Sequence, residues 1–538
     1  MVKDDNKINV KNERRIKISV IGMLILIVLS LVSYGIFMYK YGANFLDSDA
    51  AAEMILSNLL SKEGGVLSRS WYYSSELRVL NTQLIFSFLF HIFNNWKIVR
   101  ITGGILLLII LCTSALFLGK SIKMTHFETS MFALVMLLPV SDLYLEFVMA
   151  WSYYIPHIVI SFVTIALLLF AINHEKKTVV FSGLNCILAL IAGMGGWRQL
   201  INLYIPLVIV AGWLYIDTNF TLKNDIKKNI YKTDILRLLI INCFLFLSAT
   251  IGFLINSTVL RKNYEFKRMG SVWFTDFSSE RMINMLSAVL HMFGYDQGKA
   301  TSFSSIKNGV CFLIVLLGII AVRDILKNKI YSIEEDIIAR YLTAAFVIML
   351  LIEVFSDALI ADRYIIPISV FIVPVIIIFL KRRYENINQS KEKKTILLLS
   401  FLFFVIVSGC SLYNYCFSDF RKETEYNQIT ESLLEQGYDK GFGTFWNGDV
   451  FTELSNGKIE MYCWDSDISN VKAPDDIYKW LQKKSHVNEL PSGKVFCILS
   501  ADERNSELAK KINAGIAIYE SEEYTVWGYE SYNDMVKE

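Results

Sequence analysis

Runs of about 17 to 22 mostly apolar residues recur along this chain, and no other feature restricts its fold as tightly. A helix of that length rises far enough to cross roughly 30 Å of hydrocarbon. Lipid offers no partner for a stray N–H or C=O, so such runs must satisfy their backbone internally, as helices. Hydrophobic residues make up 54% of the 538 and charged residues only 19%, with a mean hydropathy of +0.42. A soluble domain carries nearer a quarter charged residues. The chain therefore reads as an all-α polytopic membrane protein, with the lipid bilayer as its first partner.

Eleven spans are expected, near 19–39, 98–118, 127–147, 154–173, 178–194, 199–216, 235–256, 306–322, 338–356, 364–380 and 395–413. Lys and Arg in short loops set orientation. With the tail 1–18 in the cytoplasm, the basic connectors Lys120/Lys123, Lys176/Lys177, Lys223–Lys232, Arg323–Lys329 and Lys381–Lys394 all fall on the cytoplasmic side. The apolar stretch Asn81–Trp96 is short, and a crossing there would invert the pattern. It is expected to lie in the outer interface, with His91 and Trp96 at its wet edge. The transmembrane domain is thus expected over 19–413, with outer loops 40–97 and 257–305. The second loop holds Arg261, Lys262, Lys267, Arg268, Arg281 and Lys299 against the charge rule.

Residues 414–538 are expected to form a soluble extracytoplasmic domain. Helix-type stretches (Glu423–Gln436, Asp475–Lys484, Ser506–Ala514) alternate there with strand-type runs (Val495–Leu499, Ile516–Tyr519, Thr525–Tyr529), the pattern of a small α/β domain. The first span follows a basic segment, is too long for a typical signal core, and is expected to stay as an anchor. A net charge of +2 makes no case for nucleic acid. The cysteines show no metal-site spacing; Cys463 and Cys497 are the one pair placed where a disulfide could form.

The chemistry gathers in the outer loops. Leu46-Asp47-Ser48-Asp49-Ala50-Ala51-Ala52-Glu53 opens a helical pattern just past the first span. Asp47, Ser48 and Asp49 are all good N-cap residues, so capping alone is one reading. The other is that one carboxylate caps while Asp49 and Glu53, a turn apart on one face, act as base or hold a cation such as Mg or Mn. Asp47 and Asp49 are the candidate metal ligands. Next come Trp71, Tyr72, Glu76 and Arg78, read either as interfacial anchors or as a surface for sugar rings and hydroxyls. Arg198 and the Asp362-Arg363 pair stand at outer ends of spans, where an Arg either snorkels to headgroups or clamps a phosphate. A carboxylate base with phosphate-binding cations is the set needed to move a group from a phosphate carrier.

These residues resemble the GT-C class of membrane glycosyltransferases, which includes protein O-mannosyltransferases, aminoarabinose transferases and bacterial relatives of family 39. The likeness rests on four features. An acidic motif (Asp47, Asp49, Glu53) lies in the first outer loop. Interface helices follow it, over 50–61 and 81–96. Asp142 stands near the outer end of the third span. Asp362-Arg363-Tyr364-Ile365-Ile366-Pro367 opens a late span. The stretches WYYSSELR and WNGDVFTELSNGKIE look like those of Gram-positive members. Two departures stand out: no WWDYG-type motif occurs, and Asn81-Thr82-Gln83 stands where aminoarabinose transferases carry Lys-Pro.

The resemblance implies inverting transfer of a sugar from a polyprenyl-phosphate donor to a cell-surface acceptor (glycan, teichoic acid, lipid or protein) at the outer face. Asp49 would be the base, with Asp47 second to it and Glu53 orienting it. Arg198 and Arg363 would hold the donor phosphate. Trp71, Tyr72, Glu76, Arg78, Asp142 and Asp362 would contact substrate. The rival readings are a transporter or lipid flippase, a surface-polysaccharide polymerase or ligase, and a non-catalytic anchor for the tail. Transporters place charges near the midplane, whereas the spans here are nearly free of charge at mid-depth.

Overall fold

A computed structural model describes residues 2–75, 77–221, 228–266, 272–296, 302–328, 331–358, 361–383, 390–416 and 421–537. Glu76, Lys267, Arg268 and Lys299 lie outside the described residues. In chain order the main helices are α1 (Val2–Tyr41), α2 (Ser48–Glu63), α3 (Gln83–Phe90), α4 (Trp96–Ser121), α5 (His126–Val135), α6 (Ile155–Asn173), α7 (Thr178–Gly193), α8 (Ile205–Thr221), α9 (Lys228–Ile255), α10 (Ser279–Met292), α11 (Ser302–Lys327), α12 (Ile333–Phe355), α13 (Ile372–Arg383), α14 (Ser390–Cys416), α15 (Arg421–Glu435) and α16 (Asp449–Leu454). The strands are β1 (Trp71–Tyr73), β2 (Glu265–Phe266), β3 (Lys440–Thr444), β4 (Glu460–Trp464), β5 (Gln482–Lys483), β6 (Val495–Ser500), β7 (Ile516–Glu520) and β8 (Tyr524–Tyr529).

Two compact units divide the chain. One comprises Met1–Tyr34, Leu107–Ser257 and Gly270–Phe417; the other comprises Gly35–Leu106, Thr258–Met269 and Ser418–Glu538. The tail from Ser418 onward thus shares one unit with the first loop.

Among the described residues, nine helices are long and apolar enough to cross a membrane, and they coincide with nine of the expected spans. The expected span 395–413 falls within α14, whose described apolar part runs over Leu398–Tyr413. The expected span 127–147 is broken. Helix α5 ends at Val135, ahead of Pro139, which lacks an N–H and disfavours helix at the residue before it. The chain restarts at Ser141, whose hydroxyl caps Tyr144 N–H at 2.9 Å, and then widens into a π turn over Leu145–Ala150. Further π turns cover Leu200–Tyr204 and Asn256–Leu260.

In the helical unit, α7 and α9 cross at small residues. A Cβ on Gly193 would sit 2.0 Å from the Ala249 carbonyl oxygen, and one on Gly252 would sit 2.1 Å from that of Leu190. Small residues let backbones approach this closely where lipid supplies no hydrophobic drive for helix association. Helix α10 lies in what the sequence leaves as open loop. Met285, Ala288 and Met292 bury one of its faces.

The other unit holds two sheets. The smaller has the order β2-β1-β5, with β1 parallel to β2 and antiparallel to β5. The larger has the order β4-β3-β6-β8-β7, parallel across β4, β3 and β6 and antiparallel at β8. One face of the larger sheet packs Ile429, Leu433, Phe451, Phe496 and Val526; the other packs Phe442, Trp464, Leu499 and Met535. Each such side chain contributes about 1.5–3 kcal/mol on burial.

Several sequence expectations are corrected here. Cys463 and Cys497 are free, because they belong to the cores on opposite faces of the sheet. Asp475–Lys484 is not helical; the Gln482 side chain bonds the Tyr478 and Cys463 carbonyls and holds this stretch open. Ser506–Ala514 contains only a 3₁₀ turn over Ala509–Lys511. The stretch 81–96 is helical only over Gln83–Phe90. Trp96 is buried rather than wet and starts α4, its N–H donating to Asn456 Oδ1 at 2.9 Å.

Candidate active site

The acidic loop starts α2 in a fixed way. Asp47 is the N-cap, and its Oδ1 accepts the Ala50 N–H at 2.8 Å. Ser48 is fully buried and donates its hydroxyl to the Phe445 carbonyl. Arg100, near the start of α4, is buried and forms a two-pronged bond with Glu453 of α16, at 2.5 Å and 2.6 Å. The same guanidinium donates to the Ala50 carbonyl at 2.9 Å. Cap, hydroxyl and clamp together lock the first turn of α2 and leave Asp49 half-buried on it.

Two further carboxyls sense Asp49. Glu53 receives Thr82 Oγ1 at 3.2 Å and Asn81 Nδ2 at 3.4 Å. Burial raises its pKa; Arg78 and the Thr82 bond pull the other way, and the Asp49 charge adds to the rise. Arg78 is therefore a charge neighbour of Glu53. Asp449, the first residue of α16, is buried, with Oδ1 3.4 Å from the Cys463 thiol. Burial pushes it up to about 7, Cys463 and Lys483 oppose the rise, and Asp49 adds to it.

Trp71 and Tyr72 are only 1% and 7% exposed, paired in β1 with Lys483 and Gln482 of β5. The Asp47–Asp49 pair also fits a resident cation poorly. One Asp47 oxygen serves the helix cap, and among the described residues no group of three or more His, Cys, Asp or Glu is arranged to hold a metal.

The helical unit contains a second polar constellation. A cavity of about 400 Å³ is lined by Asp142, Glu146, His291, Asp296, Lys307 and Asp362, with Gly294 and Tyr295. His291 Nδ1 lies 2.6 Å from Asp362 Oδ2, and Lys307 Nζ lies 3.5 Å from Asp142 Oδ2. Lys307 is 1% exposed yet reaches an exposed carboxylate, so its charge is aimed into the cavity. The Tyr364 ring, two residues on from Asp362, has two guanidiniums near it, Arg198 at 4.6 Å and Arg363 at 5.6 Å from its centroid. Arg198 also donates to Tyr154 Oη at 3.2 Å, and Arg363 lies over Phe147 and acts electrostatically on Glu146.

The structure thus gathers Asp142, Arg198, Asp362 and Arg363 in one unit, and Asp47, Asp49, Glu53, Trp71, Tyr72 and Arg78 in the other. Sequence reading misses Arg100, Glu453, Asp449, His291 and Lys307. The only available signals were an Arg early in a span, a Lys in another, and the acids of the WNGDVFTELSNGKIE stretch.

The fold is similar to that of a solved structure. The structure of ArnT from Cupriavidus metallidurans bound to undecaprenyl phosphate superposes with a TM-score of 0.52 at 10% identity, over 93% of this chain and 97% of that one. The Archaeoglobus fulgidus oligosaccharyltransferase in complex with Zn and sulfate gives 0.46 at 10% identity, over 91% and 71%. No family model matches the chain, and no curated protein matches it by sequence.

Proposed function

We propose that this chain is a membrane glycosyltransferase that moves a sugar from a polyprenyl-phosphate donor to a hydroxyl of a cell-surface acceptor, with inversion. The observation that carries the reading is the locked first turn of α2, which presents Asp49 while Asp47 and Ser48 serve the backbone. Asp49 takes the acceptor proton. The acceptor oxygen attacks the anomeric carbon, the bond from that carbon to the phosphate oxygen breaks, and the lipid phosphate leaves with the electron pair. In the helical unit, Arg198, Arg363 and Lys307 offer the positive charge that a lipid phosphate calls for. The likeness in fold to a structure holding undecaprenyl phosphate supports this donor class. The positive-inside pattern supports the outer face as the site of transfer.

Removing a general base costs about 10²- to 10⁴-fold. Asp49→Asn is expected to lose at least about 100-fold in transfer from a short-chain polyprenyl-phosphate sugar in proteoliposomes, with its melting temperature unchanged. Full activity of the variant would overturn the assignment.

A further inference from the structure

In the helical unit an apolar groove of about 750 Å³ runs between α10, α11, α12 and the short helix Ile366–Ser369. Leu290 lies at one end, next to Cys311, whose thiol donates to its carbonyl at 3.1 Å. Arg323 and Lys327 lie at the other end, one turn apart in the last turns of α11. Between Phe312 and Lys327 the helix rises about 22 Å. One leaflet contributes roughly 15 Å of hydrocarbon. The groove is therefore long enough to take an acyl chain from that leaflet.

The charges at that end are unequal in their partners. Lys123 pairs with Glu334 at 2.5 Å, Arg382 with Glu335 at 2.9 Å, Arg340 with Asp336 at 2.9 Å and Arg383 with Asp324 at 2.7 Å. Asp324, the acid next to Arg323, also accepts Tyr331 Oη at 2.5 Å and Asn328 Nδ2 at 2.8 Å, so its charge is already met. Among the described residues, Arg323 and Lys327 make no side-chain hydrogen bond or ion pair, and both are exposed. A cation that only snorkels needs no apolar groove leading to it. Two cations without a partner among the described residues, at the mouth of one, match a lipid whose phosphate carries net negative charge.

We propose that this groove binds an anionic diacyl phospholipid, with its phosphate held by Arg323 and Lys327 and one acyl chain laid along α11 toward Phe312. Headgroups without net charge are discriminated against, because their own cation repels the pair.

The test is native mass spectrometry of the full-length protein in mild detergent, titrated with phosphatidylglycerol or with phosphatidylcholine. Phosphatidylglycerol should be retained preferentially, and Arg323→Ala with Lys327→Ala should weaken that retention roughly thirtyfold. Arg323→Lys with Lys327→Arg, which keeps both charges, should restore it and serves as the control for folding. Equal retention of both lipids, or retention unchanged in the alanine variant, would overturn the proposal. So would a groove that the same alanine variant empties of undecaprenyl phosphate but not of phosphatidylglycerol.

Discussion

Asp449 is 4% exposed, and its Oδ2 meets no hydrogen-bond donor among the described residues. An acid enclosed this way favours its neutral form, which is why burial, reinforced by the Asp49 charge, raises it from the ordinary 3.8 to about 7. The sign follows directly. The folded carboxyl keeps its proton to higher pH than the unfolded one, so its contribution to stability is whole below about 3.8 and is lost as pH rises through about 7. Asp449→Asn keeps the shape without the ionisation. Its melting temperature should gain on the wild type between pH 4 and pH 8, by an amount worth at most about 4 kcal/mol. An equal offset at both pH values would sink this account. Nothing local in the sequence separates Asp449 from the other acids of the tail, because its property comes from what encloses it. A cap near this point was legible, since Asp47, Ser48 and Asp49 all suit one, but only the structure selects Asp47.

Helix α2 is tied to the tail by one buried ion pair, Arg100 with Glu453. Removing one partner strands the other's charge out of water. Arg100→Ala is therefore expected to cost about 3–5 kcal/mol, and Arg100→Ala with Glu453→Ala markedly less. Thermal unfolding of the two variants measures the difference; additive losses would contradict the pairing. Elements were legible where one signal dominated. The apolar runs mark the spans; the break after Val135 in the third of them emerged only in the structure. Helix α10 escaped because its apolar positions are diluted by charge and its partner surface is assembled by other helices. Strand β3 escaped because its run Lys440–Thr444 holds two glycines, which favour no strand by themselves. A Cβ there would meet Phe496 at 2.1 Å or Ile498 at 2.7 Å, so glycine is required inside the sheet.

For the molecule as a whole, the charge pattern of the loops predicts which side of the membrane each polar region occupies. Glu507→Cys, in the exposed part of the tail, should react with a membrane-impermeant maleimide added to intact cells. Lys176→Cys, on the exposed connector after α6, should react only after permeabilisation. The reverse pattern would invert the topology and place the acidic loop on the other side. Membrane class, span positions and the helical start after Asp47 all rest on neighbours a few residues apart, and so could be read along the chain. The pairing of Arg100 with Glu453, 353 residues away, and of His291 with Asp362, 71 residues away, could not. Such meetings, and the burial that surrounds them, exist only once the chain has packed, because Coulomb attraction and desolvation depend on distance in space rather than along the chain.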